Sequence, residues 1–154
     1  MGVSGCGKSS VGAALAAATG LRYADGDDLH PAENVAKMRR GEALTDADRA
    51  PWLALVGAAL TPGTIIGCSA LKRAYRQVIT TTAGAPVLFI HLSGSRDLIA
   101  ARMQARQGHF MPPALLDSQF ATLEPPGPEE SALTVDIAQP LPHLIADIRA
   151  RAAL

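Results

Sequence analysis

Residues 2–9, GVSGCGKS, fit the spacing G-x-x-x-x-G-K-S, and that spacing has a definite chemistry. Gly2, Gly5 and Gly7 let the backbone take positive φ and lie against a phosphate chain with no Cβ between. The N–H groups then converge on the anion at the positive end of the helix that follows. Lys8 reaches the β- and γ-phosphates, and the Ser9 hydroxyl ligates Mg²⁺. The plainer reading is a glycine-rich turn before a helix. The helical pattern that starts directly after the motif favours the phosphate reading.

Three further stretches carry chemistry. In DGDDLHP (25–31), Asp27 is placed to accept a proton from a substrate hydroxyl and orient it, and Asp25 to hold a water on Mg²⁺. The competing reading is that these acids only cap the helix beginning at Pro31. In CSALKRAYR (68–76), Ser69, Lys72 and Arg76 suit an anionic substrate. Lys72 and Arg76 equally suit a solvated i, i+4 helical pair. In RMQARQGHFMPPALLDSQFATLEPP (102–126), Arg102 and Arg106 lie one turn apart on one helical face, with His109 after a glycine. Two arginines and a flexible loop suit a lid that closes over phosphates, although a surface helix with two basic residues is common.

The elements that must position these residues alternate. The sequence predicts helices over 8–19, 31–40, 71–81, 95–107, 114–123 and 140–153, and strands over 21–24, 64–68, 86–92 and 132–137. A further helix carries Trp52, Leu53 and Leu60, with Thr45 or Asp46 as its cap and Pro51 as a kink or a later start. The near-continuous apolar run PVLFIHL (86–92) suits a parallel strand covered on both faces. Alternating strands and helices argue for an α/β sandwich with a mostly parallel sheet. The acids at 25–27 and the stretch from Cys68 then lie at the C-terminal ends of strands, where such sheets bind ligands.

The chain has 154 residues, enough for one domain with a single core, and a hydrophobic fraction of 48% against 18% charged. Formal net charge is zero, which gives no basic face for nucleic acid. No apolar stretch is long enough to span a bilayer. Two cysteines, Cys6 and Cys68, are too few for a disulfide framework and read as reduced thiols; Cys6 lies inside the loop itself.

Taken together, GVSGCGKSS, DGDDLHP, NVAKMRRGEALTDADRAPWL, CSALKRAYR and the 102–126 stretch resemble bacterial gluconokinases over nearly the whole chain, in the same order. The resemblance implies a three-layer P-loop kinase-like sandwich, as one domain over 1–154 with a substrate-binding helical part at about 27–60 and a lid at about 102–122. It implies transfer of the ATP γ-phosphoryl group to the 6-hydroxyl of D-gluconate, with Mg²⁺, in a cytoplasmic enzyme that is often dimeric. By the same resemblance Gly2, Val3, Ser4, Gly5, Cys6, Gly7, Lys8, Ser9 and Ser10 hold ATP, and Ser9 and Asp25 serve the metal. Asp27 is the base or orienter, and Arg106 contacts the transferring group. Arg102 covers adenine or phosphate. Asp25, Asp27, His30, Lys72 and Arg76 form the sugar-acid side, with His109 as a further ligand. A kinase for another small hydroxylated acid, shikimate-like, and an inactive nucleotide-binding remnant are the alternative readings.

The sequence departs from that family in two places. Its members carry an apolar strand just before the loop, in the middle of the sheet. That first central strand is missing here, so Met1 is expected not to be the biological start. WLALVGAALTPGTIIGC (52–68) is short, as if the helix had lost about two turns. The strand over 64–67 offers no acid for a metal, which leaves Mg²⁺ to Ser9, phosphates and waters.

Overall fold

A computed structural model describes residues 1–105 and 113–154. In chain order the elements are α1 (Lys8–Thr19), β1 (Arg22–Asp25), a 3₁₀ turn (Gly26–Leu29), α2 (Ala32–Arg39), α3 (Asp46–Ala59), β2 (Thr64–Gly67), α4 (Arg73–Ala83), β3 (Phe89–Ser93), α5 (Arg96–Ala105), α6 (Pro113–Thr122), β4 (Ala132–Asp136) and α7 (Leu141–Ala152). Thr45 caps α3 in a reciprocal capping box with Asp48, which fixes its start at Asp46. Pro51 lies within the helix without delaying its start, contrary to one of the expectations for that segment. The threonines near the end of α4 are tolerated because the Thr80 and Thr82 hydroxyls donate to the Arg76 and Val78 carbonyls one turn back. β3 begins at Phe89, later than the apolar run suggests.

All strand pairing is parallel among the described residues, in two separate pairs: β1 with β2, from Arg22 opposite Thr64, and β3 with β4, from Phe89 opposite Ala132. The expected single sheet is therefore met in direction and not in continuity. Met1 and Gly2 bridge the two pairs. The Met1 amine donates to the Ile90 carbonyl at 2.5 Å, Leu92 N–H donates back to the Met1 carbonyl at 2.9 Å, and Gly2 N–H donates to the Ser69 carbonyl at 3.1 Å.

The strands are sandwiched between two apolar clusters. Ile65 and Ile90 pack with Val11, Leu15 and Ile148 on the side of α1 and α7. Their neighbours Ile66 and Phe89 pack with Trp52, Val56, Tyr75 and Ile79 of α3 and α4. Burial on both faces explains why these strands read as apolar runs rather than alternating ones. No helix among the described residues is long and apolar enough to cross a membrane.

Candidate functional site

The loop from Gly2 to Gly7 has the backbone its spacing implies: Gly2, Gly5 and Gly7 have φ of 143°, 79° and 97°. A Cβ on Gly5 would lie 2.6 Å from Met103 Cγ of α5, so a side chain there would have to displace Met103 as well as hold a left-handed φ of 79°. Lys8 Nζ donates to the Gly2 and Val3 carbonyls, each at 3.1 Å, and braces the ring from inside. Val3 and Cys6 are buried at 2% and 1% exposure; their side chains serve the core, and only their backbone is available to a phosphate. Both cysteines are free and buried, and burial pushes the Cys68 thiol up to about 11. Ser9 and Ser10 are exposed on the first turn of α1.

The acids of 25–27 meet this loop. Asp25 ends β1, and its two oxygens do different work. One accepts the Asp27 N–H at 3.1 Å, capping the 3₁₀ turn, and the other accepts the Ser9 hydroxyl at 3.3 Å. The acids therefore do not cap α2, which has no side-chain cap. Asp27 projects outward with its side chain 81% exposed. Surrounding protein nevertheless desolvates the carboxyl and, with the charge of Asp25, raises its pKa, while His30 and Lys8 pull it back.

His30 closes one side. Its ring stacks on Trp52 at 4.1 Å and 14°, with Nε2 4.0 Å from Asp27 Oδ1. Burial lowers its pKa, so the ring is neutral at pH 7. Asn34 Nδ2 approaches His30 Nδ1 at 3.4 Å and donates to the Asp48 carbonyl at 2.8 Å. With the amide so oriented, the His30 proton lies on Nε2, the side of Asp27. Trp52 Nε1 donates to the Gly26 carbonyl at 2.7 Å, pinning the acidic turn to α3.

The basic residues divide. Lys72 is partly exposed, and its Nζ is 2.7 Å from Asp46 Oδ2 and 5.4 Å from the Tyr75 ring. Arg76 does not fit the substrate side expected of it. It is 1% exposed, and its Nε and Nη2 meet the Glu130 carboxylate at 2.5 and 2.8 Å. Its Nη1 donates to the carbonyls of Ala70, Leu71 and Glu124 at 3.0–3.2 Å. A guanidinium so enclosed is a clamp between segments, with its charge already answered. Arg102 donates through Nη2 to the Ile137 carbonyl at 2.7 Å, beside the end of β4. Arg106 and His109 lie outside the described residues.

Two contributors were not anticipated. Gln119 of α6 accepts the Ser4 N–H at 2.7 Å and donates to the Ser4 hydroxyl at 3.0 Å, joining the helix after the 106–112 stretch to the loop. Asn34 sets the His30 tautomer. Neither has a sequence signal, because each is recognised only by a partner distant in the chain. Among the described residues no group of three or more His, Cys, Asp or Glu could hold a metal ion.

The family model described as Shikimate kinase matches residues 4–123. The chain is 48% identical over 141 residues to the gluconokinase of Gluconobacter oxydans (strain 621H), covering 88% of this chain and 79% of that protein. A crystal structure of a sugar kinase from Janibacter sp. HTCC2649 superposes with a TM-score of 0.90 at 44% identity, covering 99% of this chain and 91% of that one. A gluconokinase structure from Sinorhizobium meliloti 1021 gives 0.85 at 48% identity, covering 99% and 89%.

Proposed function

The chain belongs to the gluconokinase family, and from that premise we propose that it transfers the γ-phosphoryl group of ATP to the 6-hydroxyl of D-gluconate, giving 6-phosphogluconate. The observation that carries this reading is the meeting of Ser9 and Asp25 at 3.3 Å beside the exposed carboxyl of Asp27. A phosphate loop, a hard-oxygen pair and an outward-facing acid stand together at the end of β1.

Ser9 Oγ and Asp25 Oδ2 suit Mg²⁺, which takes one or two protein oxygens, completes its shell with waters and phosphates, and needs no all-protein cage. When bound, Mg²⁺ neutralises charge on the β- and γ-phosphoryl oxygens. Backbone N–H groups of the Gly2–Gly7 loop and the start of α1 hold the phosphate tail. Lys8, released from the Gly2 and Val3 carbonyls, follows the charge on the moving phosphoryl group.

Asp27, ionised at neutral pH despite its raised pKa, accepts a hydrogen bond from the 6-hydroxyl, aims it in line, and takes its proton late. Neutral His30 holds the polyol next to Asp27. Lys72 answers the gluconate carboxylate, sharing its charge with Asp46. Arg102 covers the nucleotide, Arg106 contacts the transferring group, and His109 adds a ligand. The cytoplasm and a homodimer belong to the same proposal.

A coupled assay of ADP release across gluconate, shikimate and related hydroxy acids tests it. Gluconate is expected to give the highest kcat/KM, and equal or better turnover of another acid would overturn the assignment.

A further inference from the structure

Tyr23 lies inside β1, opposite Ile65 of β2. Its ring fills a slot opened by two glycines. A Cβ on Gly12 of α1 would lie 2.3 Å from the ring, and a Cβ on Gly67 of β2 would lie 2.4 Å from the hydroxyl oxygen. Gly67 is the register partner of Asp25, so the slot delivers the Tyr23 hydroxyl to the level of Asp25.

That hydroxyl is the one buried side-chain polar group among the described residues with no hydrogen-bond partner. It faces Ser9 and Asp25 without making a bond to either. Burial raises its pKa above the ordinary value of 10, and the charges of Asp25 and Asp27 raise it further, so at neutral pH it holds a proton to donate. A buried donor without an acceptor is unfavourable, and packing alone would be served as well by phenylalanine. The acceptor at hand is Asp25. One of its oxygens takes the Asp27 N–H at 3.1 Å. The other has only the Ser9 hydroxyl at 3.3 Å, which is long for a bond between oxygens.

We propose that Tyr23 is a positioning residue for the metal side of the site: as Mg²⁺ and nucleotide arrive and Ser9 turns to the cation, the Tyr23 hydroxyl donates to Asp25 and holds its carboxylate in place. The inference rests on the reading of Ser9 and Asp25 as the oxygens that serve the metal. A carboxylate beside a cation depends on further donors to fix its orientation. Asp25 keeps the Asp27 N–H on one oxygen and gains the phenol as Ser9 loosens. Tyr23 itself touches neither cation, nucleotide nor sugar acid, and acts only through Asp25.

Tyr23→Phe tests this, because it keeps the ring in its slot and removes the oxygen alone. Calorimetric titration with ADP, in Mg²⁺ and in EDTA, reads the metal's share of binding without turnover. The unaltered chain is expected to bind ADP more tightly with Mg²⁺. The variant is expected to match it in EDTA and to need about tenfold more Mg²⁺ for the same tightening. Its thermal midpoint without ligand is expected to equal or exceed that of the unaltered chain, since an unpartnered donor has gone. Equal Mg²⁺ dependence in the two proteins overturns the proposal and leaves the metal reading of Ser9 and Asp25 standing. A lower midpoint in the free variant, or weaker ADP binding in EDTA, also overturns it, because the hydroxyl would then serve the fold or the loop itself. Binding of ADP by the unaltered chain with no Mg²⁺ dependence overturns the metal reading, and this proposal with it.

Discussion

The Ser9 hydroxyl donates to Asp25 Oδ2 across 3.3 Å, tying the first turn of α1 to the end of β1. This contact joins the phosphate loop to the acidic turn. Asp25→Asn keeps the shape and the Asp27 N–H acceptor but removes the charge. The Mg²⁺ concentration for half-maximal activity is expected to rise by about tenfold to a hundredfold, with the KM for gluconate little changed. A Mg²⁺ titration at fixed ATP checks it; an unchanged titration removes Asp25 from the metal.

In the proposed phosphotransfer Asp27 acts as carboxylate. Its pKa is raised above 3.8 by burial and by Asp25, so activity is expected to fall as pH drops through that raised value and the acceptor becomes protonated. Asp27→Asn is expected to lower kcat by about 10²–10⁴ and to flatten this acid limb. A pH profile of kcat in both proteins separates this role from a purely structural one, which would leave the limb in place.

Arg76 and Glu130 form a buried ion pair whose consequence is stability. Arg76 holds Glu130 from 4.5 down to about 2, so the pair's contribution is full above pH 4.5 and is lost as pH falls toward 2. Glu130→Gln is expected to remove that acid transition, and Arg76→Met to cost about 3–5 kcal/mol in urea unfolding, because it strands a carboxylate. The folded fraction should keep its KM for gluconate. A tenfold rise in KM at unchanged stability would return Arg76 to the substrate side.

Gln119 makes two hydrogen bonds to Ser4, each worth about 0.5–1.5 kcal/mol. Gln119→Ala is expected to raise the KM for ATP by about threefold to tenfold while kcat/KM for gluconate at saturating ATP stays within twofold, as steady-state kinetics would show. No change in either constant would make the contact incidental to the loop.

Much of this was legible beforehand because it is local. The glycine spacing and the Thr45 cap each lie within a few residues of what they control. The meeting of Ser9 and Asp25 followed from the rule that loops converge at the carboxyl ends of parallel strands. Arg76 was misread because an i, i+4 basic pair looks the same exposed or buried, and its partner lies 54 residues away. Gln119 failed to register for the same reason, at a separation of 115. Lys72 gave no hint of Asp46 across the fold. The split into two strand pairs is invisible to periodicity, which reports the faces of a strand and not its edges.

Trp52 is the chain's one tryptophan, and its indole lies flat on His30, three residues from Asp27, while its N–H grips Gly26. Excited at the red edge, where the two tyrosines do not absorb, the protein's intrinsic fluorescence therefore comes from a single emitter built into the acidic turn. A sugar acid that shifts that turn, or a proton gained by His30, will change its intensity. Ligand titrations can be followed by light alone, with no label attached.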